Sequence, residues 1–200
     1  MGWRECAVFT PHYLKIQLII SEKMKLRTHY IFSAGLISII LAFFNLSLFA
    51  NLFISFYASF VANTIIDRLG HEMKRTKHGY LPVRSPLTHT VYRSIIWGII
   101  SVLPLLLLYY VYHYHTYHYY YSSYYSSTLI LSTIAAGIIV GPSHMLLDSL
   151  TEEGIYTKKN GKWRRVALAH FRYNDPVANG IAILVGVILL ILSYNIYHFR

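Results

Sequence analysis

Two hundred residues, 55% of them hydrophobic and only 13% charged, with a mean hydropathy of +0.41, do not describe a water-soluble domain, where about a quarter of residues are charged. The formal charge of +10 would suit nucleic acid, but Lys and Arg in a membrane chain gather in loops on one side of the bilayer, so no specific nucleic-acid partner is implied. A single cysteine, Cys6, excludes an internal disulfide framework and a cysteine-built zinc site.

In chain order, residues 1–23 read as neither a cleaved signal nor a span. Lys15, Glu22 and Lys23 bracket the short apolar stretch Ile16 to Ile20, and no small-residue cleavage site follows. Met24 opens MKLRTHYIFSAG, which itself reads as a start, so 1–23 is expected to be a frayed or surface-lying extension, and 24–200 one transmembrane helical domain. From Ile31 to Ile66 no residue is charged. One helix over that run would be about 54 Å long, far beyond a hydrocarbon core of roughly 30 Å. The run must fold back, and Asn45, Leu46, Ser47 and Asn51 place the turn near 45–51. Further uncharged runs cover Ser94 to about His113, Thr128 to Leu147, and Val177 to Tyr197. The fold class is therefore all-α: a polytopic, multi-pass helix bundle with five transmembrane helices.

Charge gives the orientation. Arg4, Lys15, Lys23, Lys25 and Arg27 precede the first helix; Arg68, Lys74, Arg75, Lys77, Arg84 and Arg93 lie in 67–93; Lys158, Lys159, Lys162, Arg164, Arg165 and Arg172 lie in 151–175. Five helices put all of these on one side and leave Arg200 alone on the other, which makes the N-terminus cytoplasmic in the cell membrane. An even helix count would break that segregation. The uncharged loop YYVYHYHTYHYYYSSYYSS, 109–127, reads as an interfacial tyrosine rim, and its His113, His115 and His118 lack any carboxylate beside them.

The same topology brings chemistry-bearing residues to one leaflet. His29 opens the first helix, Asp67 ends the second with His71 just beyond, RSPLTHT with Arg84, Thr88 and His89 precedes the third, and SHMLLDSLTEEG with His144, Asp148 and Glu152 closes the fourth. His144 and Asp148, four apart, share a helix face, and ionisable groups at membrane depth are costly enough to mark a site or a paired contact. Neutral imidazoles with carboxylates suit Zn, Mn or Fe, and contributions from several helices are how bundles build metal centres. Expected ligands are His29, Asp67, His89, His144 and Asp148, which could hold one or two ions; Arg84 and Thr88 are expected to contact substrate oxyanions, and Asp148 or Glu152 to act as the base.

The spacing Ser143-His144-x-x-x-Asp148-x-x-Thr151-x-x-Gly154, with Thr88-His89-Thr90 and the segment THYIFSAG at 28–35, resembles the YdjM-like membrane-bound metal-dependent hydrolases, and within them an archaeal and archaeal-virus branch without assigned function. The resemblance covers most of 24–175. It implies a His on helix 1, matched by His29, and a metal site. Two places depart from the pattern: Thr64-Ile65-Ile66-Asp67-Arg68 stands where Leu-Pro-Asp-Ile-Asp-His is usual, and Arg84 stands where the next motif opens with His; against that pattern either His71 substitutes as a metal ligand, or the site holds one ion instead of two, or only a structural site remains.

Two functions follow as expectations. One is a metal-dependent hydrolase at the cytoplasmic face, with Zn or Mn as cofactor, acting on a phosphoester such as a lipid headgroup, its basic surface drawing anionic lipid. The other is a non-catalytic membrane protein whose polar cluster joins helices and whose basic loops recruit a partner or anionic lipid. A transporter is disfavoured, since Pro104 and Gly137 near mid-helix have no ionisable companion.

Overall fold

The computed structural model describes residues 26–76, 79–116 and 123–199. The extension 1–23, His78, His118 and the side chains of His113 and His115 lie outside the described residues. The elements in order are α1 (Leu26–Leu41), α2 (Leu48–Leu69), β1 (His71–Thr76), β2 (Gly79–Arg84), α3 (Val91–Thr116), α4 (Ser123–Ser149), β3 (Ile155–Lys159), β4 (Lys162–Val166) and α5 (Pro176–His198). The four helices α2 to α5 are each long and apolar enough to cross a membrane. Helix α1 has 16 residues and spans about 24 Å.

Helix α1 is enclosed by its neighbours. It packs against α5, α2 and α4, and Thr28, His29, Phe32, Ser33, Ala34, Gly35, Ile37, Ser38 and Leu41 are all buried. Close approach of backbones makes this possible. A Cβ on Gly35 of α1 would collide with the backbone of Gly186 in α5, and one on Gly98 of α3 with that of Gly137 in α4. Lipid is as apolar as a leucine core, so bundles in membranes rely on such small-residue contacts and on hydrogen bonds between helices. Ser38 Oγ lies 2.8 Å from Ser193 Oγ, Ser33 Oγ lies 2.6 Å from Ser143 Oγ, and Thr28 donates to Asn179 Oδ1 at 2.8 Å.

The fold-back comes earlier than its polar residues suggest. Residues 42–47 make the turn, because Ser47 caps α2 by accepting from the Ala50 N–H. Asn51, expected in that turn, is instead buried inside α2 and donates to Ser38 O at 2.9 Å and to Tyr197 Oη at 3.1 Å.

The two basic connections at the site end of the bundle are antiparallel hairpins rather than irregular loops. In the second, Ile155 pairs with Val166 through to Lys159 with Lys162, and Asn160 and Gly161 turn with φ of 50° and 75°. Positive φ at both turn residues is the conformation for which Asn-Gly is suited. This hairpin is tied to the end of β2 and to the connection that follows it: Tyr156 N–H donates to His89 O at 2.8 Å, and Tyr156 Oη donates to Arg84 O at 2.9 Å.

Candidate metal centre

Helix ends deliver the site. Polar residues recur every fourth position along α2 as Asn51, Ser55, Ser59, Asn63 and Asp67, so they follow one face toward the end of the helix. There Gly70 accepts the returning chain, with Ser85 N–H donating to Gly70 O at 2.7 Å. A side chain at position 70 would strike Thr88 Oγ1 and the His89 ring. His144 and Asp148 project from the last turns of α4, and His29 from the start of α1.

Three of the other expected ligands, His29, Asp67 and His89, converge on His144 and Asp148. His144 Nε2 lies 3.1 Å from Asp148 Oδ2 and 3.6 Å from Asp67 Oδ1, and His89 Nε2 lies 3.4 Å from Asp148 Oδ2. His29 Nε2 lies 3.6 Å from the other oxygen, Asp148 Oδ1, and its ring stacks on His144 with centroids 4.0 Å apart and 17° between planes. His71 sits at the edge, its Nδ1 bonded to Asp67 O and its ring 5.2 Å from His89.

Proton positions follow from the hydrogen bonds. The Asn63 amide donates to Ser59 O at 2.7 Å and to His29 O at 3.4 Å, so its Oδ1 is the atom facing His144 Nδ1 at 2.7 Å. An amide oxygen only accepts. In the neutral imidazole His144 Nδ1 therefore carries the proton, and Nε2 presents a lone pair to the carboxylates. His89 is fixed the same way. Thr88 Oγ1 donates to Ile66 O at 2.9 Å and accepts from His89 Nδ1 at 2.9 Å, leaving His89 Nε2 as a second lone pair.

Those two nitrogens and Asp148 Oδ2 are buried and have no hydrogen-bond partner. Buried acceptors facing one another repel and lose hydration, at a cost of several kcal/mol, unless a cation lies between them. Zinc bound at 2.0–2.1 Å in a tetrahedron holds its ligand atoms about 3.3 Å apart, and the three separations between the His89 and His144 imidazole nitrogens and carboxylate oxygens here are 3.1, 3.4 and 3.6 Å. Hydrogen bonds that fix the far nitrogen of each imidazole are the usual support of metal-ligating histidines. The donor set fits a divalent ion.

Arg84 and Thr88 are turned inward rather than toward a substrate. Arg84 is buried, its Nη2 donating to Asp148 Oδ1 at 2.6 Å and its Nη1 to Gly154 O at 2.8 Å and Thr151 Oγ1 at 3.1 Å, while Nε lies 3.2 Å from Glu153 Oε2. Glu152, expected as a base, is exposed, and its neighbour Glu153 is the carboxylate that reaches the cluster. Outside the spans, burial holds the His89 imidazole well below its ordinary value of 6.5, and burial raises the Glu153 carboxyl although Arg84 opposes it. Asn63 escaped the sequence reading; its signal is the fourth-residue polar spacing that leads to Asp67.

A family of proteins of unknown function, DUF1286, matches residues 24–147, and the chain belongs to it. The matched segment takes in His29, Asn63, Asp67, Arg84, His89 and His144 and ends beside Asp148. Comparison with curated proteins and with solved structures gives no match.

Proposed function

We propose that this multi-pass membrane protein is a metal-dependent hydrolase of the cytoplasmic membrane face, acting on a phosphoester. One observation carries the reading: two imidazole lone pairs and a carboxylate oxygen, all buried and unpartnered, meet at the spacing of a metal's coordination shell. His89, His144, Asp148 and Asp67 would hold the ion, zinc or manganese by donor type. When bound, such an ion supplies an acidified water and a counter-charge for a phosphoryl oxygen. The chain's own residues do the rest. Asn63 and Thr88 keep the ligand protons on the far nitrogens, and His29, whose Nδ1 is unpartnered beside the cluster, is the group placed to take up a proton.

Two further observations support a membrane-associated anionic substrate. Among the described residues, Arg27, Arg68, Arg75, Arg84, Arg93 and Arg172 lie at the site end, and the exposed hairpin β3–β4 contributes Lys158, Lys159, Lys162, Arg164 and Arg165; such a surface draws anionic headgroups and phosphorylated substrates. By the positive-inside rule this end faces the cytoplasm. The motif resemblance to YdjM-like hydrolases agrees with the donor set.

A second reading is favoured by the closure of the site: His89, His144 and Asp148 are fully buried and only Asp67 is partly exposed, as in structural metal centres. The test separates the two. Purified wild-type protein should contain metal and hydrolyse a phosphoester presented in vesicles, and His144→Ala and Asp148→Ala should lose both. Metal with no hydrolysis of any phosphoester would favour the structural centre, and folded, metal-free protein of unchanged stability would sink both.

A further inference from the structure

We propose that the centre takes a single divalent ion, on the Oδ2 side of Asp148, and that the Arg84 guanidinium permanently fills the cation position on the Oδ1 side. The proposal rests on the metal-centre reading and deepens it. Two triads of donor atoms are close enough to share an ion: Asp67 with His89 and His144, and His29 with His144 and Asp148. His144 belongs to both. Its Nδ1 proton is committed to Asn63, so it has one lone pair and can serve one ion.

Which triad is filled follows from Asp148. Its Oδ1, the oxygen that His29 Nε2 faces, already accepts from Arg84 Nη2 at 2.6 Å. Its Oδ2 is unpartnered and faces His144 and His89. An ion beside Oδ1 would lie within a few ångströms of the guanidinium, and that guanidinium cannot swing away, because Thr151, Gly154 O and Glu153 hold its remaining nitrogens. Charge balance agrees. The carboxylates of Asp67, Asp148 and Glu153 against the one guanidinium leave two negative charges, which one divalent ion cancels and a second would overshoot. Uncompensated charge at membrane depth is what such a site must avoid.

The test uses the full chain in detergent, stripped with chelator, reloaded with Mn2+ alone and freed of excess. Wild type and Arg84→Lys should each retain one ion per chain, with the electron paramagnetic resonance spectrum of isolated Mn2+. Arg84→His, which removes the fixed charge and adds a donor, should take up a second ion and give the spectrum of a coupled pair. Two ions in the wild type, or one in a folded Arg84→His, would overturn the proposal while leaving the metal centre standing. If Arg84→His does not fold, the wild-type count and spectrum decide. No ion in folded wild type would remove the metal centre itself, so the two failures are distinguishable.

Discussion

Asn63→Leu tests the chain of reasoning that turns hydrogen bonds into a metal site. The substitution is close to isosteric and leaves every proposed ligand in place. It removes the acceptor 2.7 Å from His144 Nδ1, so nothing holds the proton there and the imidazole can present N–H instead of a lone pair to the carboxylates. Loss of such an outer partner typically weakens metal binding 10- to 100-fold, which corresponds to about 1.4–2.7 kcal/mol. As mere helix glue the same contact would count for about 0.6 kcal/mol of stability. Asn63→Asp is the control. A carboxylate still accepts from Nδ1, so it should retain tight metal binding although it loses the amide's bonds to Ser59 O and His29 O. The assay is competition with a chromophoric chelator in detergent, with thermal unfolding followed in parallel. If Asn63→Leu folds and binds zinc as tightly as wild type, the tautomer argument is wrong.

Other perturbations read other parts of the site. Excess chelator should lower the melting temperature of wild type measurably, since a ligand at a thousand times its dissociation constant contributes about 4 kcal/mol; an unchanged melting curve would count against an ion bound to the folded state. Gly70→Ala should keep the helical circular dichroism but weaken metal binding, because the added Cβ meets Thr88 Oγ1 and the His89 ring; retained affinity would show that His89 is no ligand. The raised Glu153 carboxyl means that the folded chain binds that proton more tightly than the unfolded chain does, so its contribution is complete below the ordinary value of 4.5 and is lost as pH rises through the folded value. Glu153→Gln should therefore reduce that alkaline-going loss in melting temperature, and a steeper loss would refute the sign.

The helices were legible because lipid imposes a strong rule: each long uncharged run became a helix, and charge segregation fixed the fold-back between Leu41 and Leu48. The bend falls earlier than its polar residues suggest, because Asn51 is a buried donor across three helices and not turn punctuation. Asn160-Gly161 is a strong local signal for the second hairpin, whereas the charge of the basic segments is indifferent to strand pairing. His29, Asp67, His89, His144 and Asp148 came together because topology alone puts them at one end. What spacing could not reveal was direction. Arg84 and Thr88 point at protein atoms instead of outward, and Glu153, one residue past Glu152, reaches the guanidinium.

The charge pattern also bears on which of the two readings of the centre is the more economical. Interhelical bonds through serine and asparagine already join α1, α2 and α5, so a bundle needing only cohesion has no use for two aspartates, three imidazoles and an arginine buried together. Replacing such a cluster by apolar side chains is commonly neutral or stabilising, and its presence therefore asks for a reason beyond stability. His29, His89, His144 and Asp148 are buried, and Asp67, with its side chain 13% exposed, is the member of the cluster that solvent reaches, four residues before β1 begins. On the hydrolase reading proposed above, a carboxylate at that position would give up its place to an incoming phosphoryl oxygen without opening the bundle, and the partly exposed edge of Asp67 would be the way into an otherwise buried centre.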